Sequence, residues 1–175
     1  ELHDLQYWAQ FGISYLTLCK YQVVPVQFFW INGYKFRADK YAYSWLVYDK
    51  RKIYQPFNTE RKWLSNLQRN YIQGLQQLPK HGKNLILQSS LKDGMCIEEL
   101  YGIQSVAGSS ESIPIPEFIL DDLESRFENI FVLFDGDGPG WNFGTELAFQ
   151  RKYVNIMLPQ LRVGDKIIKD PANYK

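Results

Sequence analysis

The chain has 175 residues, 45% apolar and 22% charged. That excludes a disordered or collagen-like protein and suits one ordinary domain or two small lobes sharing a core. No apolar run approaches the roughly 18 residues of a membrane helix. Cys19 and Cys96 are too few for a four-cysteine zinc site or a disulfide framework, and each is expected to be a buried thiol. The net charge of +1 hides an imbalance: residues 1–83 carry 12 Lys+Arg against 5 Asp+Glu, and residues 84–175 carry 8 against 14. The basic half also holds 18 aromatics against 10, a combination that points to a polyanionic ligand. The chain opens at Glu1 rather than Met, as expected of a piece of something longer. No basic-plus-apolar leader is seen, so secretion is not expected.

In chain order, Asp4–Phe11 reads as a short helix closed by Gly12. Ser14 caps a second one running to about Tyr21. From Val23 to Phe57 the period is two. Val24, Val26, Phe28 and Trp30 alternate, Asn32-Gly33 is a hairpin turn, and Tyr34 and Phe36 continue beyond it. Tyr41–Tyr48 and Lys52–Phe57 are two further strands joined by Asp49-Lys50-Arg51. The first lobe, residues 1–80, is therefore α+β with a small antiparallel sheet. Lys62–Gly74 is expected to be irregular or partly helical, and Pro and Gly between Leu78 and Lys83 mark the boundary.

The second lobe, residues 81–175, alternates: strand Asn84–Gln88, helix Leu91–Tyr101, strand Ile103–Val106, helix Pro116–Phe127, strand Ile130–Phe134, helix Pro139–Tyr153, strand Val154–Leu158. This order predicts right-handed crossovers and an α/β architecture with a mainly parallel sheet flanked by helices.

The chemistry concentrates at Asp135-Gly136-Asp137-Gly138-Pro139-Gly140. Two carboxylates two residues apart follow the most apolar strand, and ligands of parallel sheets collect beyond the strands' carboxyl ends. Glycines there permit close approach, and Pro139 suits a first helical turn. A calcium loop starting at Asp135 matches only in part, because Pro139 falls where an oxygen ligand belongs and a strand precedes instead of a helix. An aspartate-nucleophile phosphatase also reads Asp-x-Asp after a strand, but too few residues follow. His3 and His81 lack partners at metal-ligand spacing, and Asp121-Asp122 and Glu98-Glu99 read as solvated helix faces.

The order of these pieces resembles the TOPRIM domain of bacterial-type and bacteriophage DNA primases. The residues that carry the likeness are Asp135-Gly136-Asp137-Gly138-Pro139-Gly140 after its strand, the later Lys169-Asp170-Pro171, and Ser90-Leu91-Lys92-Asp93 after the first strand of the second lobe. Lys52–Phe57 and Lys62–Asn66 resemble the region ahead of the TOPRIM segment. The resemblance spans nearly the whole chain, with one departure: the family's Glu at the end of the first strand falls near Gln88-Ser89, where there is no carboxylate. Either Asp93 substitutes, or Ser89 and Lys92 make a variant site, or the domain binds without turnover.

The resemblance implies Mg2+- or Mn2+-dependent nucleotidyl transfer, a primase-type RNA polymerase on single-stranded DNA using ribonucleoside triphosphates. Asp135, Asp137 and Asp170 would serve the metal, with Asp93, Lys92 and Ser89 as further catalytic candidates. It also implies the cytoplasm of a bacterial or phage-infected cell, and it allows a helicase partner. In the basic lobe, Lys35, Arg37, Lys40, Lys50, Arg51, Lys52, Arg61 and Lys62 form a candidate nucleic-acid track, with Tyr34, Tyr41, Tyr48, Tyr54 and Trp63 interleaved. A TOPRIM nuclease and a degenerate binding module are the competing readings.

Overall fold

In the computed structural model, every residue is described except 111, 112, 137, 160, 165, 169 and 175, with only the backbone described at 139, 163, 166 and 167. The chain opens with α1 (Leu2–Ala9), two residues earlier than the pattern predicts, because the Glu1 and Asp4 side chains cap it reciprocally. Ser14 caps α2 (Tyr15–Lys20), its side chain accepting from Thr17 N. Strand β1 (Val24–Pro25) is followed by the hairpin β2 (Phe28–Ile31) and β3 (Tyr34–Arg37). Asn32 and Gly33 turn it with φ of 51° and 83°, the left-handed pair that matches strand twist. Strands β4 (Tyr43–Val47), β5 (Lys50–Tyr54) and β6 (Trp63–Ser65) follow, and the antiparallel sheet runs β1-β4-β5-β6.

Two details depart from expectation. Tyr48 and Asp49 alone close the β4–β5 hairpin, with Tyr48 at φ 55°, so Lys50, Arg51 and Lys52 lie in the strand and not on its turn. Residues 63–65, expected to be irregular, pair with β5.

A 3₁₀ turn (Leu75–Gln77) leads into the second unit: β7 (Gly82–Gln88), α3 (Leu91–Tyr101), β8 (Gln104–Ala107), α4 (Glu117–Arg126), β9 (Phe127–Leu133), α5 (Gly138–Arg151) and β10 (Val154–Asn155). Its sheet runs β10-β9-β7-β8, all parallel. A hairpin of β11 (Leu161–Val163) and β12 (Lys166–Ile168) and a 3₁₀ turn (Pro171–Asn173) end the chain. Leu85, Leu87, Val106, Ile130 and Val132 pack under Ile119, Leu120 and Leu123 of α4 and Ala148 of α5. On the opposite face Ile86 and Leu133 meet Ile97 of α3. β7 and β9 thus lie between helical layers, which is why their sequences are apolar runs without alternation.

The two units share a core. Leu91, Met95 and Cys96 of α3 join Tyr7, Trp8, Tyr43, Trp45 and Tyr54 in one buried cluster. Buried Gln73 also accepts from Trp45 Nε1 at 3.0 Å, donates to Gly108 O, and bridges backbone to backbone with Ala107. Cys96 is buried as expected, whereas Cys19 is exposed, because it lies on the outer side of a six-residue helix. No helix among the described residues is long and apolar enough to cross a membrane.

Candidate functional site

Strands β7 and β9 are hydrogen-bonded neighbours in parallel register, Gln88 opposite Leu133. The segments after them therefore leave the sheet at the same edge. Ser89 follows β7 and Asp135 follows β9, and the Ser89 hydroxyl donates to Asp135 Oδ1 at 2.5 Å. Ser89 is buried and Asp135 is half-buried. Asp137 and Lys169 lie outside the described residues. Gln88 is 1% exposed, and neither amide atom has a hydrogen-bond partner among the described residues.

One residue on, Ser90 caps α3. Its Oγ accepts from Asp93 N at 3.3 Å and donates to the Asp93 carboxylate. Asp93 is 2% exposed and ties α3 to the terminal 3₁₀ turn. Its Oδ1 accepts from Lys92 Nζ at 2.8 Å and from Ala172 N at 3.3 Å. Lys92 Nζ also lies 3.6 Å from Asp170 Oδ1 and 4.8 Å from the Phe11 ring centroid. Asp170 in turn caps the terminal 3₁₀ turn by accepting from Asn173 N at 3.0 Å. Burial works to lower the Lys92 pKa, but the negative charges of Asp93 and Asp170 outweigh it and hold the ammonium above its ordinary range.

The predicted residues thus form two neighbouring groups: Ser89 with Asp135, and Ser90, Asp93, Lys92 and Asp170. Among the described residues, Asp93, Asp135 and Asp170 do not gather ligand atoms within 4.8 Å of one another. The set of three potential ligand atoms within 4.8 Å of one another there is Glu1, His3 and Asp4. His3, expected to lack partners, lies 3.2 Å from Glu1 Oε2 and 3.5 Å from Asp4 Oδ1, because one helical turn gathers residues 1, 3 and 4.

Of the acidic pairs expected on solvated faces, Glu99, Asp121 and Asp122 are exposed and Glu98 is half-buried, and all four carry partners. Glu98 accepts from Tyr21 OH at 2.6 Å, from Gln104 Nε2 at 2.9 Å and from Lys20. Glu99 accepts from Ser14 N at 3.2 Å and from Thr17. Together they fasten α2 to α3, and the bond to Thr17 is the main reason the Glu99 pKa falls. Asp121 pairs with Arg151 at 2.7 Å, beside Glu117 and Glu124, and Asp122 pairs with Arg126 at 2.9 Å. These partners sit far along the chain, or across a helix turn, and composition does not reveal them.

Of the basic track, Lys35, Arg37, Lys40, Arg51, Arg61 and Lys62 are exposed and Lys50 is half-exposed. Lys52 is buried, donating to Ser109 O at 3.1 Å with its ammonium 5.0 Å from the Trp63 ring. Of the interleaved aromatics Tyr54 is core, while Tyr34 is 74% exposed.

No protein-family model matches the sequence, and no curated protein sequence matches it. Solved structures do, and the fold this chain shares with them is that of DNA primase catalytic cores. A DnaG catalytic core superposes with a TM-score of 0.72 at 14% identity, over 97% of this chain and 66% of that one. A DnaG primase catalytic domain bound to single-stranded DNA gives 0.69 at 16%, over 97% and 67%. The primase fragment of the bacteriophage T7 primase-helicase protein gives 0.61 at 19%, over 94% and 66%. The chain thus spans about two thirds of the length of each.

Proposed function

We propose that this chain is the polymerising core of a DNA primase, joining ribonucleotides on a single-stranded DNA template with Mg2+ or Mn2+. The observation that carries this reading is the position of Asp135. It follows a strand at the centre of the parallel sheet, at the carboxyl edge, within a fold that matches primase cores over 94–97% of this chain. The donor set fits a hard cation. Asp135, with Asp137 two residues on, supplies carboxylate oxygens, and Mg2+ takes few protein ligands alongside waters and substrate phosphates. Among the described residues a Cβ at Gly138 would meet nothing within 4 Å. Bound there, the ion would neutralise charge developing at the transferred phosphate and align attacking and leaving oxygens.

The chain's own residues do the positioning. The Ser89 hydroxyl, at the strand end near which the TOPRIM resemblance puts the family's Glu, orients Asp135 by its hydrogen bond, as outer partners orient metal ligands. Lys92 is committed to Asp93 and Asp170 and acts as a brace instead of a triphosphate contact. Phosphate is left to the exposed cations of the first lobe, residues 1–80, with Lys52 serving as a packing residue. A helicase partner and a replication role in a bacterial or phage-infected cell are part of the proposal. They draw on the T7 fragment, whose parent is a primase-helicase protein.

Ser89 in place of a carboxylate favours one other reading, a module that binds nucleic acid without turnover. Incubation with single-stranded DNA, labelled ribonucleoside triphosphates and Mg2+ or Mn2+ separates the two. Short oligoribonucleotides that disappear in Asp135→Asn are the expected product. DNA shortened without nucleotides would assign a nuclease, and salt-dependent binding with neither product would assign the binding module.

A further inference from the structure

The hairpin β2–β3 pairs with neither sheet. The backbone bond from Ala38 N to Gln27 O closes its base, and the bond from Val26 N to Ala42 O ties it to the body. Strand alternation sorts its side chains. Phe29 and Phe36, stacked at 5.7 Å, form the inner face; Phe29 is buried, and the Arg61 guanidinium lies 4.8 Å from the Phe36 ring. The outer face carries the cross-strand pairs Phe28 with Arg37 and Trp30 with Lys35. All four are exposed, Trp30 at 62% and Phe28 at 43%. Lys35 Nζ sits 4.0 Å from the Phe28 ring centroid and 5.7 Å from that of Trp30. Among the described residues neither Lys35 nor Arg37 has a carboxylate partner.

A two-stranded ribbon is marginal on its own, and leaving two large aromatic rings in water contributes nothing to its folding. The face is nevertheless ordered: rings and cations interleave on one side of the ribbon, with no acid among them. That is the chemistry of a single-stranded nucleic-acid platform, where bases stack on rings and cations take the neighbouring phosphates. The cations also disfavour a basic or purely apolar protein partner. We propose that this face binds the single-stranded DNA template, with Trp30 and Phe28 as stacking residues and Lys35 and Arg37 as phosphate contacts. The inference rests on the reading of the chain as a template-directed polymerase. Apart from the two cations and the Trp30 indole N–H the face presents no side-chain donor or acceptor, so recognition is tolerant of sequence.

The test is fluorescence anisotropy of the whole chain with labelled oligo-dT and with an abasic oligonucleotide of equal length, each over a salt series. Replacing both rings, Phe28→Ala/Trp30→Ala, is expected to weaken oligo-dT binding by about 5- to 150-fold for each base unstacked. The salt slope should stay unchanged. Wild type should lose a similar factor on the abasic strand, to which the double variant is indifferent, and Trp30→Tyr should restore much of the affinity. Lys35→Ala/Arg37→Ala should instead flatten the salt slope, by about 0.7 for each phosphate no longer neutralised. Unchanged oligo-dT affinity in the aromatic variant overturns this inference and leaves template binding intact. So does equal wild-type affinity for the two strands. A dimer in sedimentation that disappears with the rings, while DNA binding persists, reassigns the face to self-association. A wild-type chain that binds no single strand overturns this inference together with the reading beneath it.

Discussion

Replacing Lys92 with methionine removes one positive charge and leaves the shape of a buried side chain nearly intact. The Lys92 side chain is 9% exposed, and its carboxylate partners Asp93 and Asp170 are 3% and 17% exposed. At 2.8 and 3.6 Å and an effective dielectric of about 20, the two attractions are about 6 and about 5 kcal/mol. Desolvation of three ions offsets most of that. The variant keeps the desolvation of the two carboxylates and loses the attraction, so it should be destabilised by about 3–5 kcal/mol. That is a large share of the roughly 5–15 kcal/mol available to a domain. Because Asp93 also anchors Ala172, the 3₁₀ turn Pro171–Asn173 should loosen first. Urea denaturation at neutral pH reads the loss as a lower midpoint, and amide exchange reads the turn. The double variant Lys92→Met/Asp93→Asn should recover part of the loss, since it removes one of the stranded charges. A midpoint within error of wild type would refute the brace and restore Lys92 as a candidate substrate contact.

Burial is the largest cause of raised phenol pKa values at Tyr7, Tyr21, Tyr43 and Tyr54. A raised folded pKa gives stability that is full below the unfolded value and lost as pH rises through the folded one. The unfolding midpoint should therefore hold to about pH 10 and fall above it, with phenolate absorbance lagging behind that of the unfolded chain. Gln73→Leu strands the Trp45 indole N–H and the Gly108 carbonyl at the junction of the two sheets, a loss of about 1–3 kcal/mol for each orphaned group, measurable by thermal unfolding. Ser89→Ala should leave the unfolding midpoint nearly unchanged and weaken Mn2+ affinity by about 10-fold or more, the usual effect of removing an outer hydrogen-bond partner. Equal Mn2+ affinity would show that Ser89 does not orient Asp135.

The alternation of apolar runs and helices made the parallel sheet legible, because strands buried between helical layers must be apolar on both sides. Asn32-Gly33 was legible for the same kind of local reason. β6 was not, because Trp63-Leu64-Ser65 is too short for a period and is held by pairing with β5. The burial of Lys52 was not, because its partner, Ser109 O, is 57 residues away. Position after an apolar strand was enough to single out Asp135. The cross-strand bond from Ser89 needed the register of β7 on β9. Lys92 was singled out as a catalytic candidate, but its burial was not legible. It is buried because α3 also packs against Trp8, Trp45 and Tyr54 of the first lobe, a packing that sequence periodicity does not encode.

Calorimetric titration of Mg2+ and Mn2+, with and without nucleoside triphosphate, into wild type and Asp135→Asn tests the central claim most directly. The account predicts Mg2+ or Mn2+ binding that strengthens with nucleotide and is lost in the variant, while both proteins unfold at the same urea concentration. Equal binding by the two proteins, or strong binding of Ca2+ alone, would contradict it.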